Sequence, residues 1–237
     1  MRSRSIVCIL LILAVCAVIL PPALSDPTDA AGWYAAGQTL TAAGNYTLAL
    51  QAYQQAIALD PGSAEAWNGV ADVLNRAHKY TTDPLATLRL ALDASNKSLS
   101  LNASSPSAWI NRGQILYNIG YYYQDQLKDK ATADTYYREQ LDAFNQAISV
   151  DPDNAEAWFN KGYALCGMGR CTEGVTAFQK VEALDPGYPY LQLNLQEAEQ
   201  LAAGETPFYI KYTGGIVMAV IAIAAAALWY IAVRKKY

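Results

Sequence analysis

The sequence predicts an all-α protein: a solenoid of about four stacked helix pairs, closed by a capping helix and followed by one membrane-spanning helix. Three observations predict it. The segment Asp60 to Trp67 returns at Asp151 to Trp158 with six of eight positions identical, and a looser third copy runs from Asn102 to Trp109. Together with Trp33, these tryptophans lie 34, 42 and 49 residues apart, which a 34-residue unit with insertions of eight and fifteen residues explains. Within each unit apolar residues recur three and four apart, the spacing of one helical face.

From the N-terminus, Arg2 and Arg4 precede an apolar run from Ile6 to Leu20, Pro21 and Pro22 interrupt it, and Ala23-Leu24-Ser25 supplies small residues for a signal peptidase. Residues 1–25 are therefore expected to be a signal peptide cut before Asp26, with an uncleaved anchor as the alternative. Leu13-Ala14-Val15-Cys16 fits a lipoprotein signal poorly, because Val15 is large and the apolar run continues past the cysteine. The repeat domain then occupies 26–203, with units at about 30–63, 64–105, 106–154 and 155–188. Asp-Pro closes the second helix of a unit, since proline disfavours helix in the residue before it. Neighbouring pairs stack because no single pair can bury its own apolar stripe.

The insertions distinguish one unit from another. Eight residues around His78 to Leu85, including Asp83-Pro84, read as a longer turn in the second unit. Fifteen residues around Tyr121 to Gln140 would lengthen both helices of the third by about two turns. The tyrosines there (Tyr121, Tyr122, Tyr123, Tyr136 and Tyr137) either close that hairpin on itself or present a docking surface beside Lys128, Lys130 and Arg138. An amphipathic stretch at 190–203 suits a capping helix, and 204–213 a linker. Residues 214–233 carry no charge and would cross roughly 30 Å of hydrocarbon, with Trp229 and Tyr230 at an interface and Arg234, Lys235 and Lys236 as a stop-transfer cluster. Positive charge stays inside, so the expected topology is a single-pass cell-membrane protein with the repeats extracytoplasmic and 234–237 cytoplasmic.

The pattern Trp33, Gly37, Leu40, Gly44, Tyr46, Ala49, Tyr53, Ala56 and Pro61, repeated as Trp158, Gly162, Leu165, Gly169, Phe178 and Pro186, resembles the tetratricopeptide repeat family over residues 30 to 187. It departs from the family at Ala71, which stands for the first-helix glycine, at Ala103, which stands for a closing proline, and at Gly174, which stands for a second-helix alanine. The resemblance implies a concave face built by the first helix of each unit, binding a peptide or partner protein. Its lining would be Tyr34, Gln38, Asn68, Asp72, Ile110, Asn111, Gln114, Tyr117, Phe159, Asn160 and Tyr163. The family's clamp for a C-terminal carboxylate needs lysines and an arginine where this chain has Tyr34, Gln38 and Asn111, so that ligand is not expected.

Other function classes fare worse. Residues 26–213 hold 12 Lys and Arg against 21 Asp and Glu, a net charge of −9 that disfavours a nucleic-acid backbone. His78 is the only histidine and has no nucleophile motif beside it, so no catalytic residue, cofactor or metal site is expected. Carboxylates such as Glu65, Asp72 and Glu156 read as helix-start or solvated groups. Cys166 and Cys171 are a candidate disulfide in an oxidising compartment. Asn45, Asn96 and Asn102 head N-glycosylation sequons. The expected role is a membrane-anchored scaffold for protein–protein interaction. The alternative is a structural envelope component that binds glycan or self-associates, for which Gly215 and Ala219 offer a small-xxx-small spacing between anchor helices.

Overall fold

The computed structural model describes residues 27–205; the expected signal peptide, the membrane helix, the cytoplasmic tail and most of the linker lie outside the described residues. Nine α-helices make up the described part, with no strand among them: α1 (Ala30–Ala42), α2 (Tyr46–Leu59), α3 (Ala64–Ala77), α4 (Pro84–Leu101), α5 (Pro106–Asp125), α6 (Lys130–Val150), α7 (Ala155–Gly167), α8 (Cys171–Leu184) and α9 (Leu191–Ala202). Helices pack in sequential antiparallel pairs, α1 with α2 through α7 with α8, and α9 lies against α8. Among the described residues no helix is long and apolar enough to cross a membrane.

The recurring segment before each tryptophan is one small device. The side chains of Asp60, Asn102, Asp151 and Asp185 each accept from the backbone N–H two residues on, at 3.0, 3.0, 3.2 and 3.0 Å. Such a turn needs a side-chain oxygen and not a negative charge, so Asn102 serves as well as aspartate. Ser63, Ser105 and Asn154 then cap the next helix by accepting from the N–H of Ala66, Ala108 and Ala157. The tryptophan locks the turn from the far side. Trp67, Trp109 and Trp158 donate their indole N–H to the carbonyls of Pro61, Ala103 and Pro152. That bond needs only a carbonyl at the second turn position, which is why Ala103 can stand where the other units have proline.

Inside three of the four pairs, a second-helix aromatic ring lies on a first-helix glycine. A methyl added at Gly113 would fall 2.4 Å from the ring of Phe144, and one at Gly162 would fall 2.9 Å from Phe178. Tyr53 is held on both sides: a methyl on Gly37 of its own unit would come within 2.6 Å, and one on Gly69 of the next unit within 2.5 Å. The second unit has exchanged partners. Ala71 replaces the glycine, and Ser95, eight residues before Ala103 as Tyr53 is before Pro61, replaces the ring. Both are fully buried: with no ring to receive on the second helix, the first helix has room for a methyl. The Ser95 hydroxyl has no hydrogen-bond partner among the described residues. Replacing it with alanine is expected to raise stability by about 1 kcal/mol, read by chemical denaturation, because an unsatisfied buried hydroxyl opposes folding.

Gly174 has a similar explanation. A methyl there would lie 2.6 Å from the Cys166 sulfur and 3.0 Å from the Gly162 carbonyl. The thiol occupies the volume that the family's alanine fills, and the glycine makes room for it.

The insertions take the two forms expected of them. After α3 the chain makes a short 3-10 turn, His78–Tyr80, in which His78 Nδ1 lies 2.6 Å from the Asn75 carbonyl; Asp83 then caps α4. In the third unit α5 and α6 run to 20 and 21 residues, about two turns longer than the 13 and 14 of α7 and α8. The tyrosines of the extension close it. Tyr123 stacks on Tyr136 at 5.5 Å and accepts from Arg89 of α4, while Tyr137 packs on Tyr117 at 6.1 Å. Tyr121 alone of these rings is half exposed.

Candidate functional site

First helices α1, α3, α5 and α7 line one side of the stack, and three connected hollows run along it. The first, about 620 Å³, gathers Tyr34, Gln38, Asn68, Asp72, Ile110, Asn111 and Gln114 from the expected lining. A smaller middle hollow of about 270 Å³ adds Asn160, and shares Gln114 with the first. Tyr117 and Tyr163 line both this middle hollow and a third one of about 330 Å³ beside α9. Ten of the eleven predicted lining residues thus sit along one continuous groove.

Phe159 is the exception. Its ring packs on Phe178 at 5.4 Å and on Tyr188 at 4.9 Å within the last hydrophobic cluster. The reason is positional: the equivalent residues Tyr34, Asn68 and Ile110 line the first hollow, Ile110 from a buried position at 4% exposure, whereas the turn before α9 brings Tyr188 over Phe159.

Amide side chains hold neighbouring first helices in register. Asn111 Nδ2 donates to the Asn68 carbonyl at 3.2 Å and to Asn68 Oδ1 at 3.0 Å, and Asn118 Nδ2 donates to Asn75 Oδ1 at 2.8 Å. Both links join α5 to α3. The side-chain oxygen of Asn111 is buried and accepts nothing from any described residue. Gln38 donates to the Tyr34 hydroxyl at 3.0 Å, and Asn160 to the Glu156 carbonyl at 2.9 Å.

Charge in the first hollow comes from residues that the sequence reading assigned to helix starts. Ser63 and Asn154 do the capping, and Glu65 and Glu156, two residues later, line the hollow with Asp72 and Arg76. Arg76 is committed to Asp72, its Nε 2.8 Å from each carboxylate oxygen. Three carboxylates against one paired cation leave the hollow net negative. Glu156 is exposed as a residue and lines the hollow. Desolvation raises its pKa, Arg76 opposes that, and Asp72 adds to it.

The third hollow is walled differently. Four tyrosines, Tyr117, Tyr121, Tyr137 and Tyr163, meet Met168, Phe178 and Leu201, with polar groups from Gln124, Gln140, Asn194 and Glu197. Gln140 and the α9 residues were not legible as site residues, because they belong to a second helix and to the terminal helix. Burial raises the Tyr137 hydroxyl to about 12, with smaller contributions from Tyr117, Asp134 and Tyr121.

Cys166 borders the same hollow, and the two cysteines are unbonded in this structure. The Cys171 thiol lies 3.7 Å from the Cys166 carbonyl oxygen. Burial, then the neighbouring Cys171, push the Cys166 thiol up to about 12, so at neutral pH it is a thiol and a poor nucleophile. Among the described residues no cluster of His, Cys, Asp and Glu could hold a metal ion. Of the sequon asparagines, Asn45 is exposed and caps α2. Asn96 accepts from Arg112 within α4, where Ser98 of the same sequon is buried and bonded to the Ala64 carbonyl, and Asn102 closes its turn.

Comparison with known proteins agrees with this geometry. A family model described as TPR repeat matches residues 37–76, and models described as tetratricopeptide repeat match 113–143 and 143–173. The chain carries tetratricopeptide repeats. Among solved structures, the thermophilic TPR protein TTC0263 of Thermus thermophilus superimposes with a TM-score of 0.60 at 18% identity, covering 74% of this chain and 83% of that one. The pilF protein of Pseudomonas aeruginosa gives 0.53 at 19% identity, over 81% and 83%, and MamA gives 0.52 at 17%, over 80% and 96%. At these identities the likeness is one of fold. No curated protein matches the chain significantly.

Proposed function

We propose that this tetratricopeptide repeat protein is a non-enzymatic scaffold that holds an extended, basic segment of a partner protein in its concave groove. One observation carries the reading: the groove runs unbroken along the first helices, lined with amides and tyrosines and net negative at its widest part. Amides suit an extended peptide, since each can both donate to and accept from a backbone. The carboxylates Glu65, Asp72 and Glu156 favour Lys or Arg in the segment and disfavour acidic ones. Panning a random peptide library on the full-length protein in detergent tests this. The expected enrichment is for basic segments; recovery of acidic ones, or of none, would contradict it.

The same reading places the scaffold on the outer face of a cell membrane, held by residues 214–233, with the signal peptide removed. Its support is the agreement between the two chain ends, each of which independently directs residues 26–213 outward. The mature protein extracted from membranes is expected to begin at Asp26 by intact mass, and a membrane-impermeant amine reagent applied to sealed cells should label the repeat domain and spare Lys235 and Lys236. Labelling in the reverse sense would overturn the topology. Self-association through the anchor or glycan binding at the tyrosine-rich surface is the competing role.

A further inference from the structure

Three sequons stand in this chain, and the fold treats them unequally. A transferase that builds an N-linked glycan reads two groups, the asparagine amide and the hydroxyl two residues on. Asn45 and Thr47 are both exposed. In the second sequon Asn96 is exposed, but Ser98 is 1% exposed and donates to the Ala64 carbonyl at 2.8 Å, between two helices. In the third, Asn102 is partly buried, and Trp109 pins the carbonyl of the neighbouring Ala103 at 2.8 Å. Of the three, the first sequon presents both groups.

Asn45 can also carry a glycan without losing its place in the fold. It caps α2 through its side-chain oxygen, which accepts from the Leu48 N–H at 3.4 Å. A glycan attaches to the nitrogen of the same amide and leaves the oxygen an acceptor, so the cap survives. The surroundings are a second and independent observation. Asn45 and Thr47 line a fourth hollow, of about 690 Å³, together with Tyr46 and Tyr80, whereas Asn96 and Asn102 line none of the four. Tyr80, from the eight-residue insertion of the second unit, is 74% exposed, stacks on Tyr46 at 6.4 Å and has the Lys79 ammonium 5.6 Å from its ring. A flat ring offers apolar surface to the C–H face of a sugar, and an ammonium donates to sugar hydroxyls.

We infer that Asn45, and neither Asn96 nor Asn102, carries an N-linked glycan in the native membrane. The Asn45 amide nitrogen forms a bond to the anomeric carbon of an oligosaccharide carried on a lipid phosphate or diphosphate. The carbon–oxygen bond to that phosphate breaks, the phosphate leaves with the electron pair, and one amide proton passes to a base of the membrane transferase. Gly44 and Tyr46, on either side of Asn45, also line the first hollow, so the glycan stands at the rim of the groove and not within it. This rests on the outward topology proposed above, because glycan transfer takes place on the exported side of a membrane.

Trypsin separates the three sequons. Cleavage after Arg76, Arg89, Lys97 and Arg112 puts Asn45 in 26–76, Asn96 in 90–97 and Asn102 in 98–112. Full-length protein from its native membrane is digested, and the peptides are read by mass spectrometry with fragmentation of any attached sugar. Most copies of 26–76 are expected to carry a glycan, whose mass adds to that of the chain beginning at Asp26, and the other two peptides are expected to be bare. Thr47→Ala is expected to abolish the glycan while it keeps the Asn45 cap and puts a better helix former into α2, and Thr47→Ser to restore it. A glycan on 90–97 or 98–112, or one at Asn45 that survives Thr47→Ala, would overturn the inference. A bare 26–76 would overturn it as well, and amine labelling of sealed cells then separates the causes. A repeat domain labelled from outside would leave the topology standing and remove Asn45 as an acceptor; a shielded repeat domain would remove both.

Discussion

Phe144→Ala is expected to lower the stability of the repeat domain by about 3–5 kcal/mol, a fall in melting temperature of roughly 10 °C for a domain of this size. The ring is 1% exposed, lies on Gly113 and fills the space between the two longest helices, so its removal leaves a cavity that the packed helix pair cannot collapse. The converse change, Gly113→Ala, places a methyl 2.4 Å from that ring and is expected to cost about 1–3 kcal/mol by overpacking. The informative quantity is the double variant. If ring and glycine are one fitted pair, the alanine methyl is tolerated once the ring has gone, and the two costs together fall short of their sum by more than about 1 kcal/mol. Additive costs, measured by denaturant unfolding of the full-length protein, would mean that the glycine serves backbone conformation and not the ring.

Reversing the groove's charge is expected to have the larger functional effect. Glu65→Lys with Glu156→Lys leaves the Asp72–Arg76 pair intact and changes the hollow from net negative to net positive. Both residues lie in the first turns of helices capped by other side chains, where a lysine opposes the helix dipole at a cost of about 1 kcal/mol each. Affinity for basic segments recovered by panning is expected to fall about 100-fold, since like charges then face one another across the groove. Acid should act in the same direction. Glu156 has its pKa raised by desolvation, so it takes up a proton at higher pH than an ordinary glutamate, and the groove loses negative charge early as pH falls. Binding of a basic segment therefore weakens on mild acidification, and Glu156→Gln removes that part of the pH dependence. Unchanged affinity in the double variant would show that charge in this hollow does not select the ligand.

Most of the fold was legible without coordinates because it is periodic. The tryptophan spacings located every helix pair, and the position of a residue after its tryptophan located ten of the eleven groove residues, because a residue's face in a regular helix is fixed by its offset. Phe159 escaped that rule because its surroundings depend on the chain beyond the last unit, where Tyr188 covers it. Gln140, Met168 and Glu197 escaped for a related reason: Gln140 lies on a second helix, at the place that Ala49 and Gly174 hold in their units, and the three residues line one hollow only because α9 folds back on the last pair, which is a tertiary fact. Glu65 and Glu156 were visible but assigned to capping, and only the hydrogen bonds of Ser63 and Asn154 release them for the groove. Ser95 and Ala71 could have been paired from sequence, had the eight-residue offset of Tyr53, Phe144 and Phe178 from their closing residues been applied to Ala103.

The central claim is that a protein segment lies in the concave face of this chain at the membrane. Its most direct test places a photo-crosslinking amino acid, one at a time, at Gln38 and Gln114 in the groove and at the exposed second-helix positions Gln51 and Lys97, in full-length protein in its native membrane. The account predicts that one and the same partner is captured from Gln38 and from Gln114, that Gln51 and Lys97 do not capture it, and that Glu65→Lys with Glu156→Lys abolishes its capture. Equal capture from the second-helix positions, or a second copy of this chain as the sole product, would contradict it.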